Sequence, residues 1–241
     1  MKKTIAIMLV TLLIGTLIIP ISTYGHEMAW WVSGSPGNYS LSDIELKWNN
    51  FYSGKANLQI HYDTYIPIAT HPGLRGAIAN AYDRWMLAVP SKVYAIPSPV
   101  SSANVFFQVP STGVWNGLLG AYASDTIATT LLWDTADNRI FDVGEPHYTA
   151  FSSTKLISWA QILFSPLQTF SNNSQTQKHV IHELGHALTL GHPYDKQLIQ
   201  YSGFVNVTIA NVSSIMHQGL IGGNVASLPT SHDINDITSK Y

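Results

Sequence analysis

Apolar positions along the chain change period several times, and each change marks a predicted element. Within 57–62 they alternate, putting Leu58, Ile60 and Tyr62 on one side, the pattern of a short strand. Between Pro72 and Pro90 the spacing turns helical. Leu74, Ile78, Tyr82, Trp85, Met86 and Val89 share one stripe, which predicts an amphipathic helix of about four turns packing its aromatic face into a core. Residues 104–109 and 120–124 read as strands, 131–142 as a hairpin turning at Asp137-Asn138, and 158–164 as a strand apolar on both faces. A polar connection over 165–178 leads into a further helix. The order strand, helix, strands, helix predicts an α/β (α+β) sandwich with a twisted, mostly parallel and largely one-sided sheet.

Composition narrows the functional classes. The chain has 241 residues, 46% hydrophobic, enough for one folded domain divided around a cleft. Only 11% of residues are charged, the net charge is −2, and no basic stripe follows the first residues, so nucleic acid is not an expected partner. There is no cysteine. Disulfides, thiolate ligands and a cysteine nucleophile are therefore excluded, which leaves His, carboxylate and hydroxyl groups for any chemistry.

At the N-terminus, Lys2 and Lys3 precede a run without charge from Thr4 to Ile21, then small residues around Ser22, Thr23 and Gly25. Residues 1–25 read as a secretory signal peptide, with an uncleaved membrane anchor as the alternative. Either way the remainder is expected outside the cytoplasm, and a membrane is a partner only if this segment is retained. Residues 26–50, rich in Gly, Ser and Trp, read as a loosely structured lead-in. The domain proper is expected over 51–241.

The densest chemistry lies in 179–193. His182 and His186 are four residues apart, so on a helix their imidazoles lie one above the other and reach a single ion. Glu183 sits about 100° around the helix from His182, beside the pair, where it can take a proton from a water on the metal without being a ligand. A catalytic zinc ordinarily has three protein ligands and one open position. No glutamate occurs after Glu183, so the third ligand is expected to be His192, six residues beyond His186, with Gly191 letting the chain turn back. His179, one turn before His182, reads as a partly exposed or supporting residue.

This segment resembles the metzincin superfamily of zinc peptidases, in particular its matrixin-like members, whose signature is His-Glu-x-x-His-x-x-Gly-x-x-His. Downstream, Ser213-Ser214-Ile215-Met216-His217 is similar to that superfamily's Met-turn, and 228–237 to its closing helix, with Ser231 as the expected N-cap and Ile234 and Ile237 on one face. The sequence departs from the pattern at Thr189, where the signature has glycine. It also lacks a tyrosine after Met216, so no fifth ligand is implied. The resemblance implies a metzincin-like catalytic domain with an upper lobe to about 191 and a small lower lobe over 192–241, ending in a helix. It further implies one catalytic zinc on His182, His186 and His192, Glu183 as catalytic base, and Met216 as an apolar floor. The activity implied is that of a secreted endopeptidase acting as a monomer, with a protein or peptide substrate laid along a cleft-edge strand within 154–164.

Two other features were weighed. Asp134, Asp137, Asp142 and Glu145 would offer calcium its preferred oxygen ligands, but their spacing matches no calcium-loop pattern, and a solvated turn is the reading adopted. The alternative function is an exported, non-catalytic zinc-binding surface protein whose departure at Thr189 marks a degenerate site. A zinc hydrolase of non-peptide bonds would use the same ligands.

Overall fold

The computed structural model describes residues 29–35, 38–62, 66–67, 69–137, 139, 155–190, 204–205, 213–216 and 226–241. Nine strands and four α-helices lie within them: β1 (Ala29–Ser35), β2 (Asn38–Trp48), β3 (Phe51–Tyr52), β4 (Lys55–His61), α1 (Leu74–Ala88), β5 (Val93–Pro97), β6 (Val105–Gln108), α2 (Thr112–Leu119), β7 (Ala128–Asp134), β8 (Lys155–Phe164), α3 (Ser174–Ala187), β9 (Phe204–Val205) and α4 (Ser231–Lys240). The architecture is mixed α/β. Strand β4 pairs in parallel with β5 and β6, and β8 in parallel with β6 and β2. β7 runs antiparallel beside β8. β1 joins β2 and β9 antiparallel at the far end of the path.

Alternation along the strands decides where the core forms. Ala56, Leu58 and Ile60 of β4, Val105 and Phe107 of β6, and Ala160, Ile162 and Phe164 of β8 are buried on one face. Against that face lie Leu74, Ala77, Ile78, Ala81 and Trp85 of α1 and Val180, Ile181, Leu184 and Ala187 of α3, in one continuous cluster. The helical stripe read from the sequence is this buried face of α1. Two indoles anchor α3 within the core: Trp85 Nε1 donates to the Ile181 carbonyl at 3.0 Å, and Trp48 Nε1 to the Ala187 carbonyl at 2.9 Å. Each buries a large apolar ring without stranding its N–H, which makes α3 a rigid support for what it carries.

Four expectations are corrected here. Residues 120–124 are not a strand. The segment before them forms α2, with Ser111 as N-cap accepting from the Val114 amide, and a single 3-10 turn follows over Gly120–Tyr122. Trp115, Leu119, Ala123, Leu131 and Leu163 make a second cluster under α2, on the sheet face opposite α3, so the sheet is not one-sided. The lead-in is not loose over its length, because β1 and β2 fall inside it and Trp48 is fully buried. Finally, β8 is not an edge. It is hydrogen-bonded to β6 and β2 on one side and to β7 on the other. Apart from a single bridge from Trp133 to Arg139, β7 pairs only with β8 among the described residues, so the edge strand is β7.

The predicted turn after 131 is a reversal following Asp134, with Asp137 at φ 57; Asn138 lies outside the described residues. So do residues 1–28, Asp142, Glu145, His192 and His217. Among the described residues no helix is long and apolar enough to cross a membrane.

Candidate metal centre

Helix α3 starts where Asn173 caps it by accepting from the Thr176 amide at 2.8 Å. It ends in a left-handed residue. Thr189 has φ 71, its amide donates to His186 O at 2.8 Å, and the Leu190 amide donates to Gly185 O at 3.0 Å. That pair of bonds is a Schellman motif with threonine in the place glycine usually takes. The turn is therefore made at Thr189, and the departure there is absorbed as backbone strain in a fully buried β-branched residue. The turn also brings the Leu190 carbonyl to His186 Nδ1, 2.7 Å away.

The second histidine partner comes from the segment before α4. His182 Nδ1 lies 2.9 Å from the Ile215 carbonyl. Both Nδ1 atoms face carbonyl oxygens, so both carry the proton and donate it, which makes each Nε2 the unprotonated ring nitrogen. Those two nitrogens face each other at 3.1 Å. An ion binding two nitrogens at about 2.0–2.1 Å in tetrahedral geometry separates them by about 3.3 Å, so the pair is set for one such ion. Burial drives the His182 pKa well below its ordinary value, helped by neighbouring His186, which keeps this imidazole neutral.

Glu183 completes a cluster in which the ligand atoms of His182, Glu183 and His186 all lie within 4.8 Å of one another. Its Oε2 accepts a 2.7 Å hydrogen bond from Thr130 Oγ1 of edge strand β7. Burial raises the Glu183 pKa to about 7, with the Thr130 hydroxyl opposing that rise. A carboxylate poised near neutrality beside the paired histidines is suited to moving a proton. His179 is also buried, but its Nε2 accepts from the Gln175 amide at 3.1 Å and it stands outside the cluster.

Met216 lies beneath α3, fully buried. A methyl group added at Gly185, between the two histidines, would meet Met216 Sδ at 2.3 Å and Trp85 Cζ2 at 3.1 Å. Only glycine admits the sulfur this close to the helix. The turn carrying Ile215 and Met216 is held by buried Asp233, whose carboxylate accepts from Ser214 Oγ at 2.6 Å and from the Ile215 amide at 3.2 Å. Ser214 Oγ in turn accepts from the Met216 amide at 2.8 Å. The N-cap of α4 is Thr230, not Ser231. Thr230 and Asp233 form its capping box, and the Thr230 amide donates to Asp233 Oδ2 at 2.7 Å. Thr130 has no place in the sequence patterns, and Ser214 and Asp233 stand in the Met-turn and closing-helix segments without a role of their own. Thr230-x-x-Asp233 was a readable capping signal, whereas nothing local marks Thr130.

No protein-family model matches the chain, and no curated protein matches its sequence. The geometry of the site stands as its own argument.

Proposed function

We propose that this chain is a secreted zinc-dependent endopeptidase of metzincin type, hydrolysing peptide bonds with Glu183 as base. The observation that carries the reading is the pair of Nε2 atoms converging at 3.1 Å, each ring oriented by a carbonyl on its Nδ1, with a buried carboxylate beside them. His182 and His186, with His192 as third ligand, would hold the ion. When bound, zinc supplies a Lewis acid that acidifies water and polarises the scissile carbonyl.

The chain's own residues account for the proton traffic. Glu183 accepts a proton from the attacking water as the C–O bond forms. It then gives that proton to the amine nitrogen as the C–N bond breaks, leaving a carboxylic acid and an amine. Thr130 holds the carboxylate in one orientation from β7. The same strand offers its outer edge for an extended substrate, and main-chain pairing there would give affinity with little sequence selectivity. The docking strand is thus β7, in place of the 154–164 segment expected from sequence.

Zinc content and casein cleavage by the purified protein test the reading. One zinc per chain, with cleavage lost on chelation and restored by zinc, is the expected result. Failure to bind zinc would remove its basis.

A further inference from the structure

The sheet face turned away from α3 carries a second cavity, of about 510 Å³, lined by Ala103, Asn104, Phe106, Gln108, Asp137, Ser158, Trp159 and Gln161. Register explains its make-up. Phe106 of β6 stands opposite Gln161 of β8, and Trp159 opposite Trp133 of β7, all on the face that alternates with the buried Val105, Ala160 and Leu132. Trp133 stacks on Trp159 at 4.6 Å with an interplanar angle of 4° and covers one indole face. Phe106 approaches Trp159 edge-on at 6.0 Å and 88°, and these two rings, without Trp133, supply the aromatic part of the lining.

The Trp159 ring is fixed as well as presented, because its Nε1 donates to Asp137 Oδ1 at 3.0 Å. Asn104 belongs to the wall: its amide donates to Asn57 O and accepts from the Gln59 amide, both at 2.7 Å. The working polar groups are the two glutamines. Gln161 Nε2 donates to Gln108 Oε1 at 2.7 Å, an orientation that leaves Gln108 Nε2 as a donor and Gln161 Oε1 as an acceptor on the same pair. The second carboxylate oxygen of Asp137 and the Ser158 hydroxyl add an acceptor and a mixed group. No cationic side chain is among the lining residues.

We propose that this cavity is a binding site for a neutral saccharide, separate from the metal centre. A pyranose ring is apolar on its faces and polar at its rim. Its C–H face fits the aromatic lining that Trp159 and Phe106 supply. Vicinal hydroxyls, each able to donate and accept, match the donor and acceptor of the glutamine pair. The Asp137 carboxylate accepts from a further hydroxyl and disfavours phosphate, sulfate or uronate. A proline-rich peptide would also stack on tryptophan, but it brings mostly carbonyl acceptors and would leave Gln161 Oε1 and Asp137 without donors. The volume is within the usual range for a small-ligand site. Such a site would hold the protein on a glycan-bearing surface by the face opposite the metal helix.

The test is binding of cellotriose, maltotriose and triacetylchitotriose to the full chain, followed by tryptophan fluorescence and saturation-transfer NMR, with a proline-rich decapeptide alongside. No peptide cleavage is read, so the result is independent of the hydrolase reading. Saturable binding of at least one trisaccharide is expected, with a dissociation constant of about 1 mM or below. Gln161→Leu, a surface change that keeps the fold, should weaken it at least about fivefold, and Trp159→Ala at least about tenfold. Thermal midpoints report whether each variant is folded. Saturation by none of the three sugars overturns the proposal. So does binding unchanged in Gln161→Leu, or saturation by the decapeptide alone.

Discussion

Asp233 lies 51 residues beyond His182, the difference of the two positions, yet it reaches that histidine's ring through one intervening residue: its carboxylate accepts from the Ile215 amide while the Ile215 carbonyl accepts from His182 Nδ1. The same carboxylate takes the Ser214 hydroxyl at 2.6 Å and caps α4. One buried acid therefore ties the closing helix, the turn under the metal centre and a ligand together. Asp233→Asn keeps the shape but removes charge-assisted acceptance from Ser214 Oγ, the Ile215 amide, and the Thr230 amide and hydroxyl. It should weaken zinc binding by about 10- to 100-fold, the usual cost of losing a residue that orients a metal ligand. Zinc competition titration against a chelating dye would measure it. Unchanged affinity would show that the Ile215 carbonyl is positioned without Asp233.

The close approach of Gly185 and Met216 predicts a strong local coupling. Gly185→Ala should destabilise the protein by about 1–3 kcal/mol, since the added methyl must displace the Met216 thioether or the Trp85 ring. In Gly185→Ala/Met216→Ala the cost should be well below the sum of the single changes, because each change removes the other's conflict. Urea unfolding of the four proteins in the cycle would show it, and strict additivity would contradict the packing described.

Thr189 is strained where glycine would not be. Thr189→Gly should raise stability by up to about 1 kcal/mol, as relief of the left-handed conformation outweighs the entropy gained by the unfolded chain and the lost side-chain packing. Thermal unfolding of the metal-free protein is the measurement. A lowered midpoint would mean that the buried threonine side chain contributes more than its backbone costs.

How much of this was legible beforehand depends on the range of the forces involved. The α1 stripe, β4 and the His182–Glu183–His186 face could be read because each is periodic within one element. The identity of the edge strand could not, because both 128–134 and 155–164 are apolar enough to be interior, and only pairing partners distinguish them. α2 was missed because a short apolar run such as Val114-Trp115 suits either period. Thr130 acts on Glu183 across 53 residues, and no local pattern records that meeting. His192 remains a reading of the sequence alone.

Stability should fall in mild acid, and His179 should carry part of the loss. Burial lowers its pKa to about 4, from an ordinary 6.5. Above pH 6.5 it is neutral both folded and unfolded and contributes no slope. As pH falls from 6.5 towards 4 the unfolded chain gains a proton that the folded chain refuses, so stability drops, and below about 4 the loss levels off. The contribution is on the order of 1–3 kcal/mol. His179→Gln should therefore unfold with a shallower pH dependence between 7 and 4 than the parent. Parallel curves in denaturant at these pH values would contradict the assignment. Burial also lowers the His71 and His182 pKa values, so the variant should retain some slope.

The central claim is that Glu183 moves the proton while the histidines hold the metal. Its most direct test is Glu183→Gln, measured for zinc content and casein cleavage beside the parent. The account predicts one zinc per chain in both proteins, with cleavage by the variant reduced at least about 10³-fold. A variant that keeps its zinc and cleaves at a rate close to the parent's would contradict it.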